Sequence, residues 1–164
     1  MLIHSTGRFP GNLINQSIMA TFKTQSDYYK PAPNFEPTQP NPTETAGKRT
    51  KKGDCVIRAF SIVTGRTWLE TFDMLAEHAR NSYNSINDPL NYYEVCRNHG
   101  WKEYTEKAVK GQKRLTVEQF AQQHPTGRYL VKVAHHLTAV VDGVIKDAWN
   151  TSNEVVYKYF EVKR

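Results

Sequence analysis

Cysteine is scarce in this chain of 164 residues, which contains only Cys55 and Cys96. Two thiols could form one disulfide, but a chain of this length does not need one for stability, and both are free thiols in a reducing cytosol. None of the histidines is spaced from these cysteines as metal ligands usually are, so we predict neither a metal site nor a cofactor. The histidines are His4, His78, His99, His124, His135 and His136.

Long apolar runs are also missing. The N-terminal residues, Met1 to Arg8, lack the continuous apolar centre of a secretory signal, and no stretch has membrane-spanning length. We therefore expect a soluble cytoplasmic protein that does not act on a membrane.

The excess of positive charge is small, with 22 Lys and Arg against 16 Asp and Glu, a net charge of +6. Such a balance is compatible with an acidic partner but does not require one. The basic segment with Lys107, Lys110, Lys113 and Arg114 lacks the interleaved aromatic residues of a single-strand binding surface. The sequence therefore disfavours nucleic acid as a partner.

Residues 1–45 differ in texture from the remainder of the chain. Few of their apolar residues are periodic, and five of the eight prolines fall between residues 31 and 42, a density that opposes both helix and sheet. We predict a flexible Pro-rich tail over 1–45, in which Met19 is a candidate alternative start, and a folded domain over 46–164. The composition, 38% hydrophobic and 12% aromatic, is sufficient for a core.

Four helices precede four strands in the predicted order of the domain. Helix signals include Gly65 as a C-cap and two capping boxes that begin at Thr67 and Thr116. Strand patterns follow Gly127. The order predicts an α+β fold. The predicted helices are Cys55–Val63, 68 to about Arg80, about Leu90–Asn98 and one from Thr116 to before Pro125; the predicted strands are Tyr129–Val133, His136–Val141, Val144–Trp149 and Val155–Val162.

The pair Asp142-Gly143 is a strong signal for a two-residue hairpin turn. Such a turn places Val141 opposite Val144 and Thr138 opposite Asp147. Strand alternation then puts His136 on the same face as Asp147, as a diagonal neighbour at roughly 7–8 Å, which a hydrogen bond between the side chains can close. His135 points to the other face, unless a bulge inverts the choice.

Cys55 stands at the predicted first turn of a helix, where the helix dipole favours a thiolate. A histidine and a carboxylate on adjoining strands are the usual groups that activate such a thiol. Cys55, His136 and Asp147 therefore form a candidate Cys-His-Asp triad. Taken alone, a cysteine in an apolar helix is most often a core residue, and this is our interpretation of Cys96, which has no acid-base partner.

This arrangement resembles the papain-like cysteine peptidase fold, most closely the compact proteins of bacteria and phages that include peptidase-C39-like domains. The resemblance covers roughly residues 50–162. It implies N-terminal helices, with the nucleophile at the start of the central helix, packed on a C-terminal antiparallel sheet. It also implies a cysteine peptidase that cleaves a peptide or protein substrate through a thioester acyl-enzyme. For a phage protein, the location would be the host cytoplasm.

Within the resemblance, Cys55 is the nucleophile, His136 the general base and then acid, and Asp147 the group that orients the imidazole. The backbone N–H of Cys55 would supply part of an oxyanion hole. Family members usually have a Gln a few residues before the nucleophile, but the stretch Lys48–Asp54 contains none. Lys52 is a site-adjacent candidate that would raise the local positive potential.

Two further residues next to the triad have alternative interpretations. Asp54 could face the site, although a helix cap is the commoner role for an aspartate at that position, and we favour it. Trp149 could shield the His136–Asp147 bond from water or serve as a core aromatic.

The same triad permits other functions. It can attack a side-chain amide or a thioester, which would make the protein a deamidase, an acyltransferase or an isopeptidase. A papain-like binding module that has lost turnover is a further alternative, slightly favoured by the missing Gln.

Overall fold

A computed structural model describes residues 35–37 and 53–163 of the chain, and it has the α+β architecture expected from the sequence. The described elements are β1 (Phe35–Pro37), α1 (Cys55–Thr64), α2 (Trp68–Asn81), α3 (Pro89–Asn98), β2 (Lys102–Thr105), α4 (Val117–Gln123), β3 (Arg128–Val133), β4 (His136–Val141), β5 (Val144–Asp147) and β6 (Lys158–Glu161).

The helices begin and end close to their sequence signals. Gly65 adopts the left-handed conformation after α1, at φ 74°, and its N–H bonds to the carbonyl of Ser61. Both predicted capping boxes form, Thr67 with Glu70 at α2 and Thr116 with Gln119 at α4. The four predicted helices are thus confirmed, because local hydrogen bonds define their ends.

One sheet lies at the centre of the described domain, in the order β1-β5-β4-β3-β6-β2. The strands β2 to β6 pair antiparallel, and β1 joins β5 in parallel. The hairpin between β4 and β5 has the predicted register, with Val141 opposite Val144. Asp142 and Gly143 both have positive φ, at 50° and 76°, as this type of tight turn requires.

Three features of the sheet differ from the sequence expectations. The strand β2 was not predicted; it is only four residues long and gains its stability from pairing with β6. The strands β5 and β6 are shorter than predicted, and β5 ends at Asp147. In the predicted tail, β1 forms beside β5, so the expectation of no sheet structure there is wrong at these three residues; an edge position tolerates its proline. The other predicted tail residues lie outside the described residues.

Strand alternation divides the apolar residues between two cores, one on each face of the sheet. The first core joins α1, α2 and α3 to sheet residues such as Leu130, Leu137 and Phe160. The second core joins α4 to Val131, Val140 and their neighbours. The first core fixes α1 against the sheet and thereby positions the candidate site.

None of the helices within residues 53–163 is both long enough and apolar enough to cross a membrane.

Candidate active site

The N-terminus of α1 meets the first residue of β4. Cys55 is the first residue of α1 and is partly buried, and its thiol interacts with the imidazole of His136 and the backbone N–H of Leu137. Helix α1 packs over Leu137 and Ala139, on the face of β4 opposite to that of His136 by alternation. Because His136 begins its strand, its side chain can reach Cys55 around the strand end.

His136 and Asp147 form the contact that the hairpin register predicts. The Nε2 atom of His136 lies 2.7 Å from Oδ2 of Asp147. The Asp147 side chain is 3% exposed and that of His136 is 13% exposed. Since Nε2 is engaged by the carboxylate, the ring nitrogen available to the thiol is Nδ1.

The electrostatics of the site favour an ion pair between Cys55 and His136. Burial opposes the charged imidazolium, but the hydrogen bonds to Asp147 and Cys55 outweigh it and raise the pKa of His136 to about 9. Burial likewise opposes the thiolate, but the hydrogen bond and the charge of His136, with the N–H of Leu137, lower the pKa of Cys55. Both shifts favour a thiolate beside an imidazolium.

Asp54 occupies the N-cap position of α1, but the expectation that its side chain caps the helix is wrong. Its carboxylate accepts hydrogen bonds from Arg58 and from Trp68 Nε1, the latter at 3.4 Å, rather than from the first turn of the helix. Asp54 has ψ 12°, not the extended backbone usual at a cap, and Arg58 lies one turn along the same face. The backbone N–H groups at the start of α1 are therefore not bonded to the Asp54 side chain and can donate to other acceptors.

Trp149 and His135 take different places relative to the triad. The ring of Trp149 is partly buried, with its centroid 5.2 Å from that of the His136 imidazole. His135 is exposed in the turn before β4, with φ 52°, and it lines the mouth of the site. The other site-adjacent candidate, Lys52, lies outside the described residues.

Cys96 contrasts with Cys55, as the sequence predicts. It is fully buried in the first core, and burial raises its pKa well above the ordinary value. A protonated, inaccessible thiol is a core residue and not a nucleophile.

An open cleft of about 350 Å³ lies over Cys55 and His136. Its walls include Asn87, from the loop between α2 and α3, and Lys132 of β3. The Nδ2 atom of Asn87 donates to the carbonyl of Gly53 at 3.0 Å. The ammonium of Lys132 donates to the carbonyls of Val133 and His136, at 2.7 and 3.4 Å. A substrate can therefore approach the thiol from solvent.

No protein-family model, curated protein or solved structure matches this chain. Interpretation of the site therefore depends on its own geometry. In the part of the chain that the structure describes, there is no group of three or more His, Cys, Asp or Glu side chains placed to hold a metal ion. The chemistry available is that of a thiolate, an imidazolium and a buried carboxylate.

Sequence reasoning missed two polar residues at the site, Arg58 and Asn87. A signal existed for Arg58, because it is the single charged residue within the apolar helix α1 and stands four positions after Asp54. Asn87 gave no signal, since it belongs to a polar loop 32 positions from Cys55 and arrives at the cleft only through packing of α3.

Proposed function

We propose that this protein is a cysteine hydrolase of papain-like arrangement, most simply a peptidase that acts on a peptide or protein substrate. The observation that supports this function is the Cys55–His136–Asp147 constellation, with its 2.7 Å contact between His136 and Asp147. Its order along the chain, its nucleophile at a helix start and its histidine at a strand start are those that the papain-like resemblance implies. We also propose that the fold is papain-like, with α1 as its central helix.

The proposed reaction begins with attack of the Cys55 thiolate on the substrate carbonyl carbon. The carbonyl electron pair moves to oxygen, and collapse of this tetrahedral intermediate expels the amine, which takes a proton from the His136 imidazolium. A thioester between Cys55 and the acyl group remains. Neutral His136 then removes a proton from water, which attacks the thioester and releases the acid and the thiol. Asp147 keeps the imidazole in the tautomer that faces Cys55.

We propose two donors for the oxyanion that forms in this reaction. One is the backbone N–H of Cys55, which has no acceptor within α1 because it opens the helix. The other is the side-chain amide of Asn87, which takes the role of the missing upstream Gln. One Asn87 N–H is used on Gly53, and an amide nitrogen carries two, so the second is available in the cleft.

A reducing compartment such as the cytoplasm suits this activity, because a catalytic thiol must stay reduced. Both cysteines of the chain are unpaired in the structure.

A thiol-reactive electrophilic probe with identification of the labelled peptide tests the proposal. We expect labelling of Cys55, no labelling of Cys96 in the folded protein, and strong loss of Cys55 labelling at neutral pH in His136→Ala. Equal labelling of the two thiols, or none, contradicts a nucleophilic Cys55.

The amide bond that Cys55 attacks is identified by incubation with a peptide library and with candidate protein substrates, followed by mass spectrometry. A peptidase gives cleaved products that vanish in Cys55→Ala. A deamidase instead gives uncleaved products that are heavier by about one dalton, the change from amide to acid. A reactive Cys55 without either product favours the binding module.

A further inference from the structure

The cation that contacts the triad carboxylate belongs to the nucleophile's own helix. Arg58 Nη1 lies 3.5 Å from Asp147 Oδ1, while Nη2 of the same guanidinium bonds to Asp54. Asp147 thus uses both carboxylate oxygens: Oδ2 contacts His136, while Oδ1 accepts from the N–H of Ala148 at 2.7 Å and from Arg58. We propose that Arg58 is a positioning residue of the triad, which holds Asp147 so that its other oxygen faces His136.

Burial makes this contact consequential. The side chains of Asp54 and Asp147 are 8% and 3% exposed, and that of Arg58 is 13% exposed. Buried carboxylates lose hydration, and the shared guanidinium offers both of them charged N–H donors in its place. The planar fork of arginine can bridge two carboxylates, which the single ammonium of lysine does less well.

The bridge also ties both halves of the triad to one helix. Arg58 lies one turn after Cys55 in α1, and Asp147 ends β5. Trp68 at the start of α2 donates to Asp54 and so secures the far end of the bridge. The bridge therefore links the helix that carries the nucleophile to the strand that carries the orienting carboxylate.

The inference rests on the proposed triad but is measured without turnover, through the pKa of His136 in nuclear magnetic resonance titrations of the full chain. The charged groups around this imidazole are Asp147 of β5, Cys55 of α1 and Lys132 of β3, with Arg58 beyond Asp147. The His136 resonance is assigned by its loss in His136→Gln, and the remaining histidines serve as internal references.

The positioning role predicts that Arg58→Met lowers the pKa of His136 by about one unit, a tenfold change in its protonation ratio, because the bond from Asp147 weakens. Arg58→Lys keeps a cation and should recover part of the lost pKa of His136. It also serves as the test variant if Arg58→Met does not fold. If Arg58 acted only as a nearby positive charge, its removal would raise the pKa instead. An unchanged or raised pKa in both variants overturns the proposal.

A double-mutant cycle separates positioning from general stability. In an Asp147→Ala background, Arg58→Met should leave the pKa of His136 unchanged, because the carboxylate through which it acts is gone. The matched control is Arg128→Met, which removes a guanidinium that bonds to the carbonyl of Val63 at the opposite end of α1, at 3.1 Å. A His136 shift in this control as large as that in Arg58→Met would contradict a specific role for Arg58.

If Cys55 proves unreactive while His136 shifts as expected, the bridge stands and the proposed hydrolase function fails. If Cys55 is reactive and His136 does not shift, only the role of Arg58 fails.

Discussion

At the scale of single residues, the environment of each thiol decides its chemistry. Cys55 and Cys96 are both helical and both lie near apolar neighbours. Cys55 has an imidazole and a backbone N–H to stabilise a thiolate, and its pKa is lowered, whereas burial without such partners raises that of Cys96. The same residue type is therefore a candidate nucleophile in one place and a small core side chain in the other.

The opposite pKa shifts of Cys55 and His136 predict a bell-shaped dependence of kcat/KM on pH. The thiolate forms as pH rises through the lowered pKa of Cys55, and the imidazolium is lost as pH rises through about 9. Hydrolysis of a cleaved library peptide, measured across pH, should show an alkaline limb near 9. In Asp147→Asn, which removes the charge that supports the imidazolium, this limb should move to lower pH by about one unit or more. An unmoved limb would assign it to another group.

Asn87 is predicted to act on the transition state and not on the thiol. Asn87→Ala should reduce kcat by about 10²-fold to 10³-fold, the usual cost of one oxyanion donor, and leave the rate of Cys55 alkylation unchanged. Asn84→Ala provides the matched control, because Asn84 lies in the same loop and bonds to the N–H of Ser85. Similar losses in both variants would indicate a disturbed loop instead of a lost donor.

At the scale of elements, the hairpin between β4 and β5 carries the geometry of the site. The turn is held by the bonds of Asp142 with Gly127, in which its N–H donates at 2.8 Å and its carboxylate accepts at 2.9 Å. Because side chains alternate along a strand, a shift of one residue in this register would place Asp147 on the face away from His136. The turn and the triad are therefore coupled.

Gly143→Ala should destabilise the protein by at least about 2 kcal/mol, because it combines a strained positive φ with crowding. An added Cβ would lie 3.2 Å from the Cα of Pro125. Gly100→Ala isolates the strain: its φ is similar, at 68°, and an added Cβ meets none of the described residues within 4 Å. We expect a cost of about 1 kcal/mol there. The midpoints of urea unfolding measure both destabilisations, and equal midpoints would show that Pro125 moves away from the added Cβ at no cost.

At the scale of the whole described domain, the two cores have separate relations to the site. The first core packs α1 against the sheet and positions Cys55. The second core, on the other face, contains the fully buried Phe120, whose ring packs against those of His124, Tyr129 and Tyr159. It lies on the face of the sheet that α1 does not cover, so it does not hold the helix that carries Cys55.

Phe120→Ala should therefore lower the free energy of unfolding by about 3–5 kcal/mol and leave the alkylation rate of Cys55 unchanged in molecules that stay folded. Urea unfolding gives the first quantity and labelling at low temperature the second. Leu69→Ala is the control, since Leu69 is 59% exposed and its loss should change stability by less than about 0.5 kcal/mol. A slowed Cys55 reaction in Phe120→Ala would show that the second core also shapes the site.

The sequence by itself determined the features that depend on local chemistry. Capping residues set the helix ends, and the tight turn at Asp142-Gly143 set the register that brings His136 to Asp147. These could be predicted because each depends on residues a few positions apart. Only the tertiary structure decided that Asp54 pairs with Arg58 instead of capping α1, that Arg58 reaches Asp147, and that Asn87 enters the cleft. The contacts of Arg58 with Asp147 and of Asn87 with the cleft join residues far apart in the chain, and they exist because burial of the first core brings α1, α3 and the sheet together. The Asp54–Arg58 pair is local, but Trp68 of α2 also donates to the Asp54 carboxylate.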